Sequence, residues 1–306
     1  MKKCKTAGLK SELRKEERTC YIMLALPIIG VVVFTAYSIL WALWVSFYSY
    51  TGIPSNTRFV GLSQYITAFG DATYWRTWLI NILFALVKMP LEHTLGLITA
   101  YILMQNTKFA GVYRSVYYMP AIISVAIVGL IFSNLFDYFG VFNAWLKNLG
   151  LIEENVEWFS SFGTSFSTLV ISMTWSSFGG SVIYYCAAIA TVPKEVYESS
   201  DIDGAGPVTK IVRITVPMIA PMMQTLWLLA INGILHIGEY VLVLNNGAPS
   251  GTTYPVSAYL MSKIVAGYGE LANIGYAAAI SIITSIIFAG VGLAFNRFSE
   301  KMKNLY

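Results

Sequence analysis

The sequence predicts an all-α membrane protein with six transmembrane helices, and three observations predict it. Of 306 residues, 56% are hydrophobic and 12% charged, about half the roughly 25% charged residues of a soluble domain. Six apolar runs reach the roughly 20 residues that a helix needs to cross hydrocarbon: Tyr21 to Phe47, Trp78 to Met104, Val116 to Phe136, Phe166 to Ala190, Ile214 to Ile237 and Ile274 to Phe295. Lys and Arg also sort by side. Of the 20, 15 lie in the segments that share a face with both termini; Arg58, Arg76, Lys147 and Lys263 lie on the other face, and Lys88 falls inside a run. Basic residues near span ends stay in the cytoplasm, so both termini are expected there. The net charge of +4 then reflects this asymmetry beside anionic lipid headgroups and calls for no nucleic acid. The chain reads as one membrane domain, residues 21–296, with a cytoplasmic loop at 191–213 and cytoplasmic tails at 1–20 and 297–306.

Residues 1 to 20 alternate in charge near Glu12 to Arg18 and are either a solvated or interfacial helix or a plain topogenic tail. The first run carries Pro27 and ends in an aromatic zone, Trp41 to Tyr50, of the kind that marks an outer interface. It is too long for a signal-peptide core and lacks a small-residue cleavage site, so it is expected to be retained. Thr51 to Thr77 is an outer loop with room for a short helix around Ser63 to Phe69. The second run has Asn81 near its start and holds Lys88, Pro90, Glu92 and His93 at mid-depth. Four residues apart, Lys88 and Glu92 share a helix face and can neutralise each other. Ionisable groups at membrane depth turn toward protein or a wet cavity, so the pair is either a tie in the bundle or part of a solute or gating site.

The basic link Gln105 to Ser115 leads to the third run, which proceeds outward from Pro120. The outer loop Asp137 to Thr164 holds Glu153, Glu154 and Glu157, a solvated acidic face without the compact spacing of a metal site. In the fourth run Gly179 and Gly180 permit close helix approach, while Trp175, Tyr184 and Tyr185 serve either packing or stacking on the ring of a bound solute. The fifth run places Gln224, Asn232, His236 and Tyr240 at multiples of four, with Glu239 three beyond His236. One stripe of that helix is therefore polar through much of the membrane. Facing lipid it would be costly, so it either lines an aqueous path or bonds a neighbouring helix. Asn245 to Asn273 is expected to be an irregular outer loop, and the sixth run, free of charge, a scaffold helix.

Between the fourth and fifth runs, Val192 to Pro221 reads VPKEVYESSDIDGAGPVTKIVRITVPMIAP. Pro193 suits the first turn of a helix, Lys194 to Asp203 can continue it, and Gly204 and Gly206 stop it. Pro207 opens a second short helix and Pro217 marks entry to the next run. A polar helix across the base of an apolar bundle, presenting Glu198, Ser199, Ser200 and Asp203 to water, has little reason to exist unless something docks on it.

The segment resembles the EAA loop of the permease subunits of bacterial ABC importers. The resemblance rests on Glu198, Ser199 and Ser200, then Asp203, Gly204 and Ala205, then Ile214, Val216 and Pro217, with serines for the family's alanines and Val216 for its leucine. FVGLSQY (Phe59 to Tyr65), YYMP (Tyr117 to Pro120) and VLNNGAP (Val243 to Pro249) look like other family stretches in the right order. The likeness therefore covers nearly the whole chain after its basic N-terminus, and the IDGAG core is most similar to the carbohydrate-uptake branch. It implies a type I importer permease fold in the bacterial cytoplasmic membrane, with a cytoplasmic coupling helix between spans four and five. The implied partners are a second homologous permease subunit, two ATP-binding cassette subunits and an extracytoplasmic solute-binding protein. Docking would use Glu198, Ser199, Ser200, Asp203, Gly204 and Gly206. The solute, on this reading a sugar or oligosaccharide, would pass Glu92, Trp175, Tyr184, Gln224, Asn232, His236, Glu239 and Tyr240. The resemblance gives Lys88 and His93 no role.

Other chemistry is missing from the sequence. There is no GxxxxGK[ST] phosphate cradle, no GxSxG and no HExxH, and neither His93 nor His236 sits in a nucleophile–base arrangement. Cys4, Cys20 and Cys186 are too few and too scattered for a disulfide framework or a zinc site. The chain is thus expected to be no enzyme and to hold no cofactor or metal of its own, with ATP and Mg on partner ATPase subunits. An ion-gradient-driven secondary transporter is the alternative, motivated by Lys88, Glu92, His93, His236 and Glu239 at membrane depth; it leaves the polar loop without a purpose.

Overall fold

Backbone N–H and C=O groups find no water in hydrocarbon and must pair within helices, and helix is what this chain forms almost throughout. A computed structural model describes residues 2–105, 108–265 and 272–303. The side chains before Glu17, Cys4 among them, lie outside the described residues. So do 106–107 of the basic link, 266–271 of the last outer loop, and 304–306 together with the side chains of Lys301 and Lys303 in the C-terminal tail. Helix α1 (Lys2–Val31) passes through a π-helical turn, Val32–Ala36, into α2 (Tyr37–Val45). Together, Glu17–Val45 is long and apolar enough to cross a membrane, and none of its most apolar stretch is buried. This helix stands off the rest of the protein, which it meets chiefly where α2 ends against the last helix.

A small antiparallel pair, β1 (Tyr48–Ser49) and β2 (Arg58–Phe59), closes the first loop, and α3 (Ser63–Gly70) forms where a short helix was expected. The second run, expected from Trp78, begins earlier as α4 (Ala72–Met104). The cause is Asp71, whose carboxylate accepts the N–H groups of Thr73 at 2.9 Å and Tyr74 at 3.2 Å and so starts the helix at its cap.

The third run, expected as one helix from Val116 to Phe136, is two: α5 (Ala110–Ile122) and α6 (Val125–Leu135), bent by 91°. Ser124 adopts an extended backbone and its hydroxyl accepts the Ile127 N–H, so the second helix starts from its own cap instead of continuing the first. After α7 (Val141–Asn148) comes α8 (Phe162–Ile189), close to its expected bounds. The polar stretch forms α9 (Lys194–Ile202), α10 (Pro207–Thr209), a π-helical turn at Lys210–Thr215 and α11 (Val216–Met218). The fifth run breaks as well. Pro207–Met218 and α12 (Ala220–Leu235) meet at 80°, beside Pro217 and Pro221, which supply no backbone N–H. Helix α12 then ends at His236, and α13 (Gly238–Leu244) follows. The expected irregular loop after it contains α14 (Val256–Ile264), and α15 (Ile274–Lys303) closes the chain. Among the described residues, four helices are long and apolar enough to cross a membrane, or up to six if each bent pair is one span.

Helix α8 is the centre of the bundle and packs along α4 on one side and α5 on another. Gly179 makes the second contact: a Cβ there would lie 1.8 Å from the Tyr117 carbonyl oxygen. Two apolar cores line α8. One gathers Phe84, Val128, Leu169, Met173 and Val241; the other, toward α9, gathers Leu97, Tyr101, Val182, Tyr185 and Ile219. A third core, at the end of α4 opposite α9, joins Tyr74, Val256, Tyr259, Tyr276 and Ile280.

Two side chains stitch these elements. Asn81 donates to the Ile234 carbonyl at 3.2 Å and accepts the Val256 N–H at 2.7 Å, tying α4 to α12 and α14. Asp71 accepts the hydroxyls of Tyr259 at 2.6 Å and Tyr276 at 2.5 Å. Burial pushes the Asp71 carboxyl up, but these two hydroxyls and the two backbone N–H groups outweigh it and hold the group below its usual range.

Two outcomes are expected. Gly179→Ala should destabilise the purified protein by about 1–3 kcal/mol, because the new methyl meets backbone that cannot move aside; a thermal unfolding curve measures it. Asp71→Ala should cost about 1–2 kcal/mol near neutral pH. With its native value below the unfolded one of about 3.9, the Asp71 contribution is present above that pH and lost as pH falls through the native value. The gap between wild type and variant should therefore shrink in acid.

Candidate functional site

Irregular backbone at membrane depth is tolerated where it is buried in protein or lines a wet space. The broken fifth run lies against such a space: an open-sided cavity of about 440 Å³ lined by α4, α8, α12, α13 and the start of α6. The wall from α4 is polar. Lys88 Nζ lies 2.5 Å from Glu92 Oε2, one helical turn away, and the Ser181 hydroxyl of α8 donates to Glu92 Oε1 at 2.6 Å. Both carboxylate oxygens are thereby engaged. His93 Nδ1 is 2.9 Å from the Tyr185 hydroxyl, its ring stacks on Trp227 at 5.1 Å and 16°, and its Nε2 is buried without a partner. Across the cavity stand His236, Glu239 and Tyr240, with the Tyr240 hydroxyl 2.7 Å from that of Ser176. Tyr184 is 54% exposed. Nothing lies within 4 Å of a Cβ built on Gly180, so the neighbour of the tightly packed Gly179 keeps the wall open.

Of the side chains singled out in the sequence as pathway candidates, Glu92, Tyr184, His236, Glu239 and Tyr240 come together here. Trp175, Gln224 and Asn232 do not line the cavity. Trp175 meets Phe132 edge-on at 5.4 Å, Gln224 accepts the Ser299 hydroxyl at 2.5 Å and ties α12 to α15, and Asn232 is exposed. The stripe assumed one unbroken helix. Within α12 the face toward the cavity is apolar, with Leu226, Leu229, Ala230 and Gly233, and the polar residues reach it only past the break at His236. Lys88, His93, Ser177 and Ser181 also line the cavity; for Lys88 the sequence left a bundle tie and a solute or gating site open through its i,i+4 spacing to Glu92, and it singled out neither Ser177 nor Ser181.

The polar segment is a separate feature. Pro193 precedes α9, Asp203 ends it, and Gly204 follows at φ +73, a left-handed turn that suits glycine. Glu198, Ser199 and Asp203 are exposed, as expected, as are Gly204 and Gly206. Ser200, expected to face water, is instead 5% exposed, and its hydroxyl donates to the Tyr197 carbonyl at 2.7 Å; it is on the inward face of α9, where a small residue fits. Ile202 is 87% exposed. The helix is fastened twice to the π-helical turn that leads into the fifth run: the Tyr197 hydroxyl lies 2.9 Å from that of Thr215, and Asp201 pairs with Lys210. Among the described residues no group of His, Cys, Asp or Glu could hold a metal ion. Cys20 is exposed and Cys186 buried, both as free thiols.

Comparison with known proteins gives concordant likenesses. Residues 93–304 match the family described as binding-protein-dependent transport system inner membrane component. The chain is similar to the trehalose/maltose transport system permease protein MalF of Thermococcus litoralis, 28% identical over 95% of this chain and 98% of the relative. It is likewise 28% identical to the arabinooligosaccharides transport system permease protein AraP of Bacillus subtilis, over 98% of this chain and 94% of the relative. Among solved structures it is similar to a chain of a bacterial ABC transporter involved in the import of the acidic polysaccharide alginate, with a TM-score of 0.81 and 23% identity, over 94% of this chain and 96% of that one. A second structure of the alginate transporter is in complex with an alginate pentasaccharide-bound periplasmic protein, with the same TM-score.

The buried ion pair yields a direct expectation. Lys88→Met leaves the Glu92 charge without its cation and should cost about 3–5 kcal/mol, whereas adding Glu92→Gln should recover much of the loss. A thermal unfolding comparison of the single and double variants checks it.

Proposed function

This chain belongs to the family of binding-protein-dependent transport system inner membrane components, a transport component and not an enzyme, and from that premise we propose that it is the permease subunit of an ATP-driven importer of sugars or oligosaccharides. The observation that carries this reading is the cavity walled by broken helices and by side chains that both donate and accept hydrogen bonds. The similarity to permease proteins named for trehalose/maltose and arabinooligosaccharide transport supports the solute class. In this reading each bent pair counts as one span. That gives six, with both termini and α9 in the cytoplasm, where the basic residues collect.

The bundle supplies one half of the pathway, and a second homologous permease subunit supplies the other. A solute-binding protein delivers cargo at the outer face, consistent with the family's description. Two ATPase subunits, which hold ATP and Mg, dock on α9. Its exposed Glu198 offers a carboxylate to a basic partner group, and Ile202 offers an apolar contact beside it. The two fastenings of α9, Tyr197 to Thr215 and Asp201 to Lys210, lie on the segment that runs into α12, whose far end lines the cavity. Movement of α9 as a rigid piece therefore pulls on the cavity wall. Rocking of the spans then exchanges outward for inward access while the solute gains and loses its contacts.

Glu198→Arg tests the docking. In the complex reconstituted with its partners, the variant should remain inserted in the membrane and lose at least about tenfold of its solute-stimulated ATP turnover, the scale expected when one partner of an interfacial charge pair is removed. Undiminished stimulation would count against α9 as the docking helix.

A further inference from the structure

The ionisation of the cavity wall carries more than its shape does. Besides tyrosines, the ionisable side chains that reach the cavity are Lys88, Glu92, His93, His236 and Glu239. Lys88 and Glu92 cancel each other at 2.5 Å. Among the described residues the remaining ion pair is Lys210 with Asp201, so Glu239 makes no salt bridge of its own. Imidazoles aside, the wall carries two carboxyl groups, Glu92 and Glu239, against the one ammonium of Lys88.

The hydrogen-bonding capacity is divided in the same way. An ammonium has three donors, of which Glu92 takes one, so Lys88 keeps donors for the cavity. Glu92 offers little, since its two oxygens already accept from Lys88 and Ser181. An ionised Glu239 can only accept. His93, 5% exposed, adds a buried Nε2 that no protein group satisfies. A hydroxyl both donates and accepts and is served on either wall. A carboxylate accepts at Lys88 but brings its charge to a wall that already presents the exposed Glu239 carboxylate, and like charges in one cavity disfavour each other.

Resting on the importer reading, we propose that this cavity selects uncharged, polyhydroxylated solutes: Lys88 donates from α4, Glu239 accepts from α13, and the unpaired Glu239 charge turns uronate-bearing sugars away. Glu239 is then a specificity-determining residue, Lys88 a direct solute contact, and Glu92 the group that positions Lys88. The solute class differs from the acidic polysaccharide of the structural neighbour although the fold is shared.

The test uses the membrane assembly in nanodiscs without its solute-binding protein, so that only the membrane part selects. Saturation-transfer NMR would compare neutral trisaccharides of glucose, arabinose and xylose with trigalacturonate. The expected result is at least about tenfold weaker binding of the uronate, equivalent to about 1.4 kcal/mol, and a narrowing of that ratio in Glu239→Gln. Equal or tighter binding of trigalacturonate by the wild type would overturn the proposal while leaving the importer reading in place, and this arm stands even if the variant does not assemble. An unchanged ratio in a folded Glu239→Gln would overturn the role given to Glu239. Absence of binding by every saccharide would count against the saccharide reading itself, and the charge argument would fall with it.

Discussion

A helix that stops inside hydrocarbon strands backbone groups, and everything irregular here depends on how that cost is met. Asn81 meets part of it at the place where the need is greatest. Its amide donates to the carbonyl of Ile234, near the end of α12, and its oxygen accepts the first N–H of α14 at Val256. A single side chain on a continuous helix thus stabilises two ends that would otherwise each leave a buried polar group unpaired, at about 1–3 kcal/mol per group. With those ends secured, α12 can stop at His236 and α13 can restart in a new direction. Glu239 and Tyr240 then reach the same cavity as Lys88 and His93.

Helix α8 makes a second compromise between order and openness. Successive residues on a helix are about 100° apart, so adjacent glycines serve different neighbours: Gly179 lets the Tyr117 carbonyl approach, and Gly180 leaves the cavity wall bare. Ser181, the next residue, holds the Glu92 carboxylate. Three consecutive small residues thereby set helix spacing, cavity volume and ion-pair geometry.

Much of the fold was legible because burial in lipid is a demand on composition: runs long enough to cross were found with their ends within a few residues for α8, and α4 ended where expected. The breaks were less legible. The 91° bend after α5 turns on Ser124, a residue common inside helices and at caps alike, and nothing in apolar periodicity separates the two uses. The same blindness affected the site. The polar stripe from Gln224 to Tyr240 assumed a constant angle per residue, which holds within one helix and fails across His236, so Gln224 and Asn232 were grouped with residues they do not join. The Lys88 and Glu92 pair survived because both lie on one uninterrupted helix. For the buried Ser200, its small size was a signal that the exposed polarity of its neighbours obscured.

The helix Glu17–Val45 shares almost none of its apolar stretch with the rest of the protein. Within this chain it is held by the end of α2 near Val45, against the last helix and the strand pair. The chamber built by α4, α8 and α12 takes no side chain from that arm, so its lining is independent of where the arm lies.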